Sequence, residues 1–255
     1  MSLPALAGWE ATRDSLHAIS QLLTGLRKAL TPPQPLAQHL ALYVTAAGLS
    51  TGETAAGEFT LNFANSTVEY RELGGKTVWL PLAKYADTNA LAQELFGEVA
   101  TGNDLSKVKL PENTPLNITP ALSAEYGVAL YRIYTAVSRF RARLIGMMTP
   151  AVVWSHHFDL SFLWFKGNEL DDYKPHINFG FSPASEGFPR PYLYVTAYPL
   201  PEGIMEQALP DPATWYNGDW KGIVIDYDAL ANLNNPDDKL EVILMTIYRL
   251  YAGKL

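Results

Sequence analysis

The sequence predicts an α+β fold, with internally duplicated helix–four-strand–helix halves, an antiparallel or mixed sheet, and helices packed on one face. Three observations carry this. Apolar residues recur at helical spacing over 9–30, near 88–99, over 123–147 and from Pro236 to near Gly253. Between them lie short alternating runs bounded by Gly, Asn or Pro, as strands require. The order helix, four strands, helix also occurs twice.

The first helix has Trp9, Leu16, Ile19, Leu23, Leu26 and Leu30 on one arc, and Thr31-Pro32-Pro33 stops it. Strand-like runs follow at His39–Ala46, Phe59–Phe63, Thr67–Leu73 and Lys76–Leu82, with Asn65-Ser66 and Gly74-Gly75 as turns. A helix near 88–99 takes Asp87 or Thr88 as its N-cap. In the second half, a helix over 123–147 ends at Thr149-Pro150. It is followed by runs at His157–Phe165, His176–Phe181, Tyr192–Tyr198 and Gly222–Asp226. The last helix has Asn235 as cap, Pro236 at its first position, and Asp237 and Asp238 in its first turn, where the helix dipole favours acids.

Both helix–strand junctions read Thr-Pro, six residues, His, apolar, any, Leu, with the same separation from Thr31 to His39 as from Thr149 to His157. The expected organisation is therefore one globular unit, 1–255, made of two pseudo-repeats. Residues 1–100 form the first half, 101–122 the connection and 123–255 the second half.

Composition excludes several function classes. Nineteen Lys and Arg against 26 Asp and Glu give 255 residues a net charge of −7, with no electrostatic footprint for nucleic acid or an anionic membrane surface. The absence of cysteine removes disulfides, thiolate metal sites, iron–sulfur clusters and Cys nucleophiles. The first residues carry no charge pattern of a signal peptide. The longest apolar run, Leu144 to Trp154, is too short to span a bilayer, so a cytoplasmic location and no membrane partner are expected. No Gly-x-Gly-x-x-Gly, P-loop, Gly-x-Ser-x-Gly or His-Glu-x-x-His string is present. No cofactor is expected.

Several blocks carry a family resemblance: WEATRDSLHAISQLLTGLRKAL, QHLALYVTAAGLSTG, TVWLPL, FRARLIGMMTP, HFDLSFLWFKG, YVTAYPLPEG and the closing IDYDAL, NNPDDKL and TIY. The chain resembles an uncharacterised bacterial family, domain of unknown function 5996, over nearly its whole length. Trp9, His17, Gln21, Arg27, His39, Tyr43, Arg141, Arg143, Gly146, Pro150 and Asp159 match the residue types of the family pattern. Gln38, Ala47 and Met147 depart from it. The resemblance implies no activity.

Alternation then separates the strand faces. From His157, Phe158, Leu160, Phe162 and Trp164 share one face, and His157, Asp159, Ser161 and Leu163 the other. Ile177, Phe179 and Phe181 oppose His176, Asn178 and Gly180. Leu193, Val195 and Ala197 oppose Tyr192, Tyr194, Thr196 and Tyr198. In the first half, Leu40, Leu42 and Val44 oppose His39, Tyr43 and Thr45. One face is aliphatic and suits helices; the other is polar and rich in Tyr and His.

Large aromatics on an outer face contact something. The expectation is a Tyr/His-rich surface between the halves that binds a small organic molecule, with His39, Tyr43, Arg141, His157, Asp159, His176, Tyr192, Tyr194 and Tyr198 as candidates. Whether a reaction is catalysed there is left open. The alternative is a homodimer or partner interface on the same face. No metal is expected, with His157, Asp159 and His176 as weak candidate ligands. On helix 123–147, Arg132, Arg139 and Arg143 form a stripe read as solvated. Arg141 falls on the apolar arc, where it needs a carboxylate such as Asp159 or a ligand anion. Arg27 invites the same two readings on the first helix, and His17 reads as surface or cap-like.

Overall fold

The computed structural model describes residues 2–99 and 103–255, and the chain is α+β with every described strand pairing antiparallel. It divides into two compact units. One comprises Leu6–Tyr131 with Val153–Phe158, and the other comprises 2–5 with Arg132–Val152 and Asp159–Leu255.

In the first unit, helix α1 (Glu10–Leu30) buries Leu16, Ile19, Leu23, Leu26 and Leu30 of the expected arc, and Leu22 besides. Each buried Leu side chain contributes about 1.5–3 kcal/mol. Pro32 forces Thr31 into an extended conformation, which ends the helix there. The next strand begins later than the sequence predicts. Pro32, Pro33 and Pro35 lack backbone donors, and Leu36 and Ala37 take φ of 49° and 54°, so Pro35–Leu40 forms a 3₁₀ stretch broken by a left-handed kink rather than a strand. His39 sits in that stretch. Pairing starts only with β1 (Ala41–Val44).

Strand β2 (Gly48–Thr54) was not expected from its sequence, GLSTGET. It is followed by β3 (Gly57–Asn62), β4 (Thr67–Glu72) and β5 (Thr77–Pro81) in a meander. Helix α2 (Thr88–Val99) is capped as expected, with Ala90 N–H donating to Asp87 Oδ1 at 2.9 Å. The connection expected over 101–122 begins on residues outside the described ones. From Asn103 it runs to Pro120, where helix α3 (Pro120–Arg141) starts with proline at its first position.

Helix α3 stops at Arg141, six residues before the expected Met147. Gly146 has a φ of 124°, a conformation that favours glycine, and its carbonyl-side neighbour Met147 opens a short strand instead. Trp164 Nε1 secures this turn by donating to the Ile145 carbonyl at 2.9 Å. The remaining strands are β6 (Met147–Met148), β7 (Val152–Trp154), β8 (Asp159–Phe165), β9 (His176–Ser182), β10 (Tyr192–Tyr198), β11 (Thr214–Asn217) and β12 (Lys221–Asp226). Two helices close the chain, α4 (Tyr227–Ala231) and α5 (Pro236–Ala252). Five strands thus lie between α1 and α2, and seven between α3 and α4, rather than four in each half.

In the second unit the strands run β6–β8–β9–β10–β12–β11. Leu160, Phe162, Ile177, Phe179, Phe181, Leu193, Val195, Ile223 and Ile225 are buried on one face. Helices cover that face. Phe140 of α3 meets Phe179 edge-on at 5.0 Å, and Tyr248 of α5 meets Trp164 edge-on at 5.1 Å. The arginine stripe of α3 is not simply solvated. Arg132 pairs with Asp237 at 3.0 Å, Arg139 with Asp238 at 3.0 Å and with Glu241, and Arg143 with Glu241 at 3.1 Å. These acids lie in the first turns of α5, so the stripe ties the two helices together.

Residues 2–5 belong to this unit as well. Arg132 Nη1 donates to the Ser2 carbonyl at 2.6 Å, Tyr227 to that of Pro4 at 2.6 Å, and Arg190 to that of Ala5 at 2.6 Å. Among the described residues, no helix is long and apolar enough to cross a membrane.

Candidate functional site

The second unit's sheet gathers Asp159, His176, Tyr192, Tyr194 and Tyr198, five of the residues singled out by alternation, on the face opposite its aliphatic one. Strand register sets them in rows. Ser161, Gly180, Tyr194 and Val224 lie side by side, as do Leu163, Asn178 and Thr196, and then Phe165, His176 and Tyr198.

Gly180 is what lets Tyr194 reach across. A Cβ at Gly180 would stand 2.1 Å from the Tyr194 ring, so the ring lies over β9 where no side chain intervenes. Its hydroxyl donates to Asp159 Oδ2, and the Ser161 hydroxyl lies close to the Tyr194 oxygen. Burial pushes the Tyr194 pKa well above the ordinary tyrosine value, and the neighbouring Asp159 charge pushes it further. The phenol therefore stays a donor at neutral pH.

Aromatic rings stand around this chain of hydroxyls. Trp220 approaches Tyr194 edge-on at 6.4 Å, and Tyr192 lies 6.1 Å from it. Phe188 stacks on Tyr192 at 4.4 Å. The Tyr192 hydroxyl is paired with Ser185 at 2.8 Å, which leaves its ring as wall. In the next row, Asn178 Oδ1 is buried with no hydrogen-bond partner. His176 donates from Nδ1 to the Lys174 carbonyl at 2.8 Å, since a carbonyl only accepts, so Nε2 of the neutral ring is an acceptor. Tyr198 stacks on His176 at 5.8 Å and is half exposed.

The other candidates lie elsewhere. His157 is not on a strand face: it sits exposed in the turn 155–158, where Phe158 takes a φ of 56°, and its ring rests 4.3 Å from His156. A left-handed residue directly before Asp159 breaks the alternation that linked His157 to it. His39, in the 3₁₀ stretch, accepts the Gln34 N–H at Nδ1 at 3.2 Å. Tyr43 lies on β1 and accepts from Arg27. Arg141 does not pair with Asp159: its Nε donates to the Thr149 carbonyl at 2.8 Å, and the guanidinium lies 6.0 Å from the Phe162 ring, on the helix-covered face. Among the described residues, no three His, Asp or Glu gather as a metal site, and His157, Asp159 and His176 do not come together as one.

Sequence reasoning passed over Asn178, Gly180 and Trp220 as site residues. Asn178 had a signal: an Asn between Ile177 and Phe179 in mid-strand is depleted by strand propensity and so calls for a reason. His17 is also placed differently from the surface reading. It is half-buried, stacks on Phe158 at 5.3 Å, and donates from Nε2 to the Ser155 carbonyl at 2.7 Å. Burial lowers its pKa.

One family model, described as a family of unknown function (DUF5996), matches residues 2–254, so the chain belongs to that family. No curated protein and no solved structure matches it.

Proposed function

We propose, from geometry alone since the family carries no assigned activity, that the open face of the second unit's sheet binds a small organic molecule. The observation that carries the reading is the buried, unpartnered Oδ1 of Asn178, one row along the same face from Tyr194. A buried acceptor without a donor costs about 1–3 kcal/mol, and a ligand N–H or O–H would relieve it. The polar groups aimed at this face are acceptors: Asn178 Oδ1, the Asp159 carboxylate and His176 Nε2. The rings of Tyr194 and Trp220 offer edges and faces to a planar apolar body.

The ligand class is therefore a ring compound bearing amine, amide or hydroxyl donors, neutral or cationic rather than anionic. Asp159, held by Tyr194, is the group positioned to accept a proton from it. The acidic balance of the chain, at −7, supports a reading without nucleic acid.

The test is thermal denaturation with a panel of heterocyclic amines and amides, run beside matched carboxylates. A ligand at about 100 times its Kd adds about 2.7 kcal/mol, a rise of several degrees. The expected result is a rise with donor-bearing rings that disappears in Asn178→Leu and Tyr194→Phe. No rise with any member, together with a dimer in sedimentation, would replace this reading with an interface on the same face, for which the exposed Tyr198 speaks.

A further inference from the structure

Arg27 lies on the buried side of α1 and is only 2% exposed, yet among the described residues no carboxylate stands within 4.0 Å of its guanidinium. Scarcity of acid is not the reason, because the chain has 26 Asp and Glu against 19 Lys and Arg. Arg132, Arg139, Arg143 and Arg190 all have acid partners.

What surrounds Arg27 is neutral. Nη2 donates to the Tyr43 hydroxyl at 3.1 Å and to the Gln38 carbonyl at 3.4 Å, and the guanidinium carbon lies 4.8 Å from the Tyr43 ring centroid. Nε is buried with no partner. So is the amide nitrogen Nε2 of Gln38. Both orphaned groups are donors, and so is the Tyr43 hydroxyl: it accepts from Arg27, so its own proton is available to another acceptor.

Gly52 borders the place. It has a φ of +64°, and a Cβ there would stand 2.9 Å from the Tyr43 ring and 3.5 Å from Arg27 Nη1, so the strand backbone packs close against both groups where a side chain would not fit. A buried cation with unpaired N–H groups is costly until an anion supplies both charge and lone pairs. Guanidinium groups meet planar or tetrahedral oxyanions through paired N–H···O bonds.

We propose that Arg27, Gln38 and Tyr43 form a binding site for one small oxyanion, the carboxylate or phosphate group of a ligand. This site lies wholly in the first unit and is independent of the aromatic face proposed above. Arg27 supplies the charge and Nε–H, Gln38 an amide donor, and Tyr43 a hydroxyl that closes over the anion.

Sodium phosphate and sodium acetate, each against sodium chloride at matched ionic strength, separate the two anion sources. The readouts are the melting temperature and the Nε–H resonance of Arg27 in a nitrogen-15 spectrum. One of the two anions should raise the melting temperature by several degrees and move that resonance saturably within tens of millimolar. Arg27→Met should abolish the rise, and Gln38→Leu should weaken binding about tenfold. An equal rise in Arg27→Met means general salt stabilisation and overturns the proposal. A motionless Nε–H resonance does the same, and it needs no variant to fold.

Discussion

The Tyr194 ring crosses β9 above Gly180, and its hydroxyl donates to Asp159 on β8, so one side chain ties three neighbouring strands. Hydrogen bonds to charged acceptors contribute about 1.5–3 kcal/mol. Tyr194→Phe is expected to lose that amount in urea denaturation. It should also change the alkaline limb. The folded pKa of Tyr194 is raised above its ordinary value of 10.0, so the unfolded chain loses that proton first. Its contribution is complete below about pH 10 and is lost as pH rises towards the folded value. The wild type should therefore lose stability more steeply than Tyr194→Phe above that pH, and parallel curves would show that the pair contributes nothing.

Gly180→Ala should cost about 1–3 kcal/mol, because the new methyl would stand 2.1 Å from the Tyr194 ring and drive it off β9. Combining it with Tyr194→Phe separates the two effects. The ring clash persists while the hydrogen bond is already gone, so the double variant should lose less than the sum of the single ones.

Acid sensitivity should trace partly to His17. Its folded pKa lies below the ordinary 6.5, with burial as the main cause. The unfolded state then binds the proton more readily, so His17's contribution is complete above pH 6.5 and is lost as pH falls through the folded value. Melting curves from pH 7.5 to 5 should flatten in His17→Gln, and an unchanged slope would assign the acid response to other groups.

Glu241 offers a test of the tie between α3 and α5. Its side chain is 7% exposed between Arg139 and Arg143, which are 46% and 66% exposed. With solvent around both arginines, Glu241→Gln should cost about 1–2 kcal/mol. Urea, which is uncharged, is the denaturant to use, and the loss should shrink in molar salt.

Arg27→Met makes a sharper prediction than most core substitutions. In anion-free buffer, the apolar side chain replaces a buried cation that has no acid partner, so the variant should equal the wild type within about 1 kcal/mol or exceed it. A loss of several kcal/mol would instead make the guanidinium a structural strut between Gln38 and Tyr43.

Periodicity was a good guide where one face is buried and the strand or helix is long. The arc of α1 and the alternation of β9 and β10 are visible in the residues because burial against a core leaves a period of 3.6 or 2. Asp159 and Tyr194 were placed on one face by that reasoning. Strand β2 could not be seen, since Gly, Ser, Thr and Glu carry no apolar period and become a strand only by pairing with β1 and β3. His39 and His157 were misplaced by backbone conformation that spacing does not register: left-handed residues at Leu36, Ala37 and Phe158 interrupt the extended chain beside them. The arginine stripe looked solvated because Asp237, the partner of Arg132, lies 105 residues away. Asn178 was counted on its face, yet its orphaned oxygen depends on what the neighbouring strands leave unpaired.

The anchoring of residues 2–5 by Arg132, Tyr227 and Arg190 bears on biosynthesis. A ribosome delivers Ser2 to Ala5 before Arg132, and Arg190 and Tyr227 later still. This short peptide must therefore wait, unpaired, until its donors have been made. A nascent chain halted between the two units would carry that peptide loose, and expressing 123–255 by itself would leave those three donors without their acceptors.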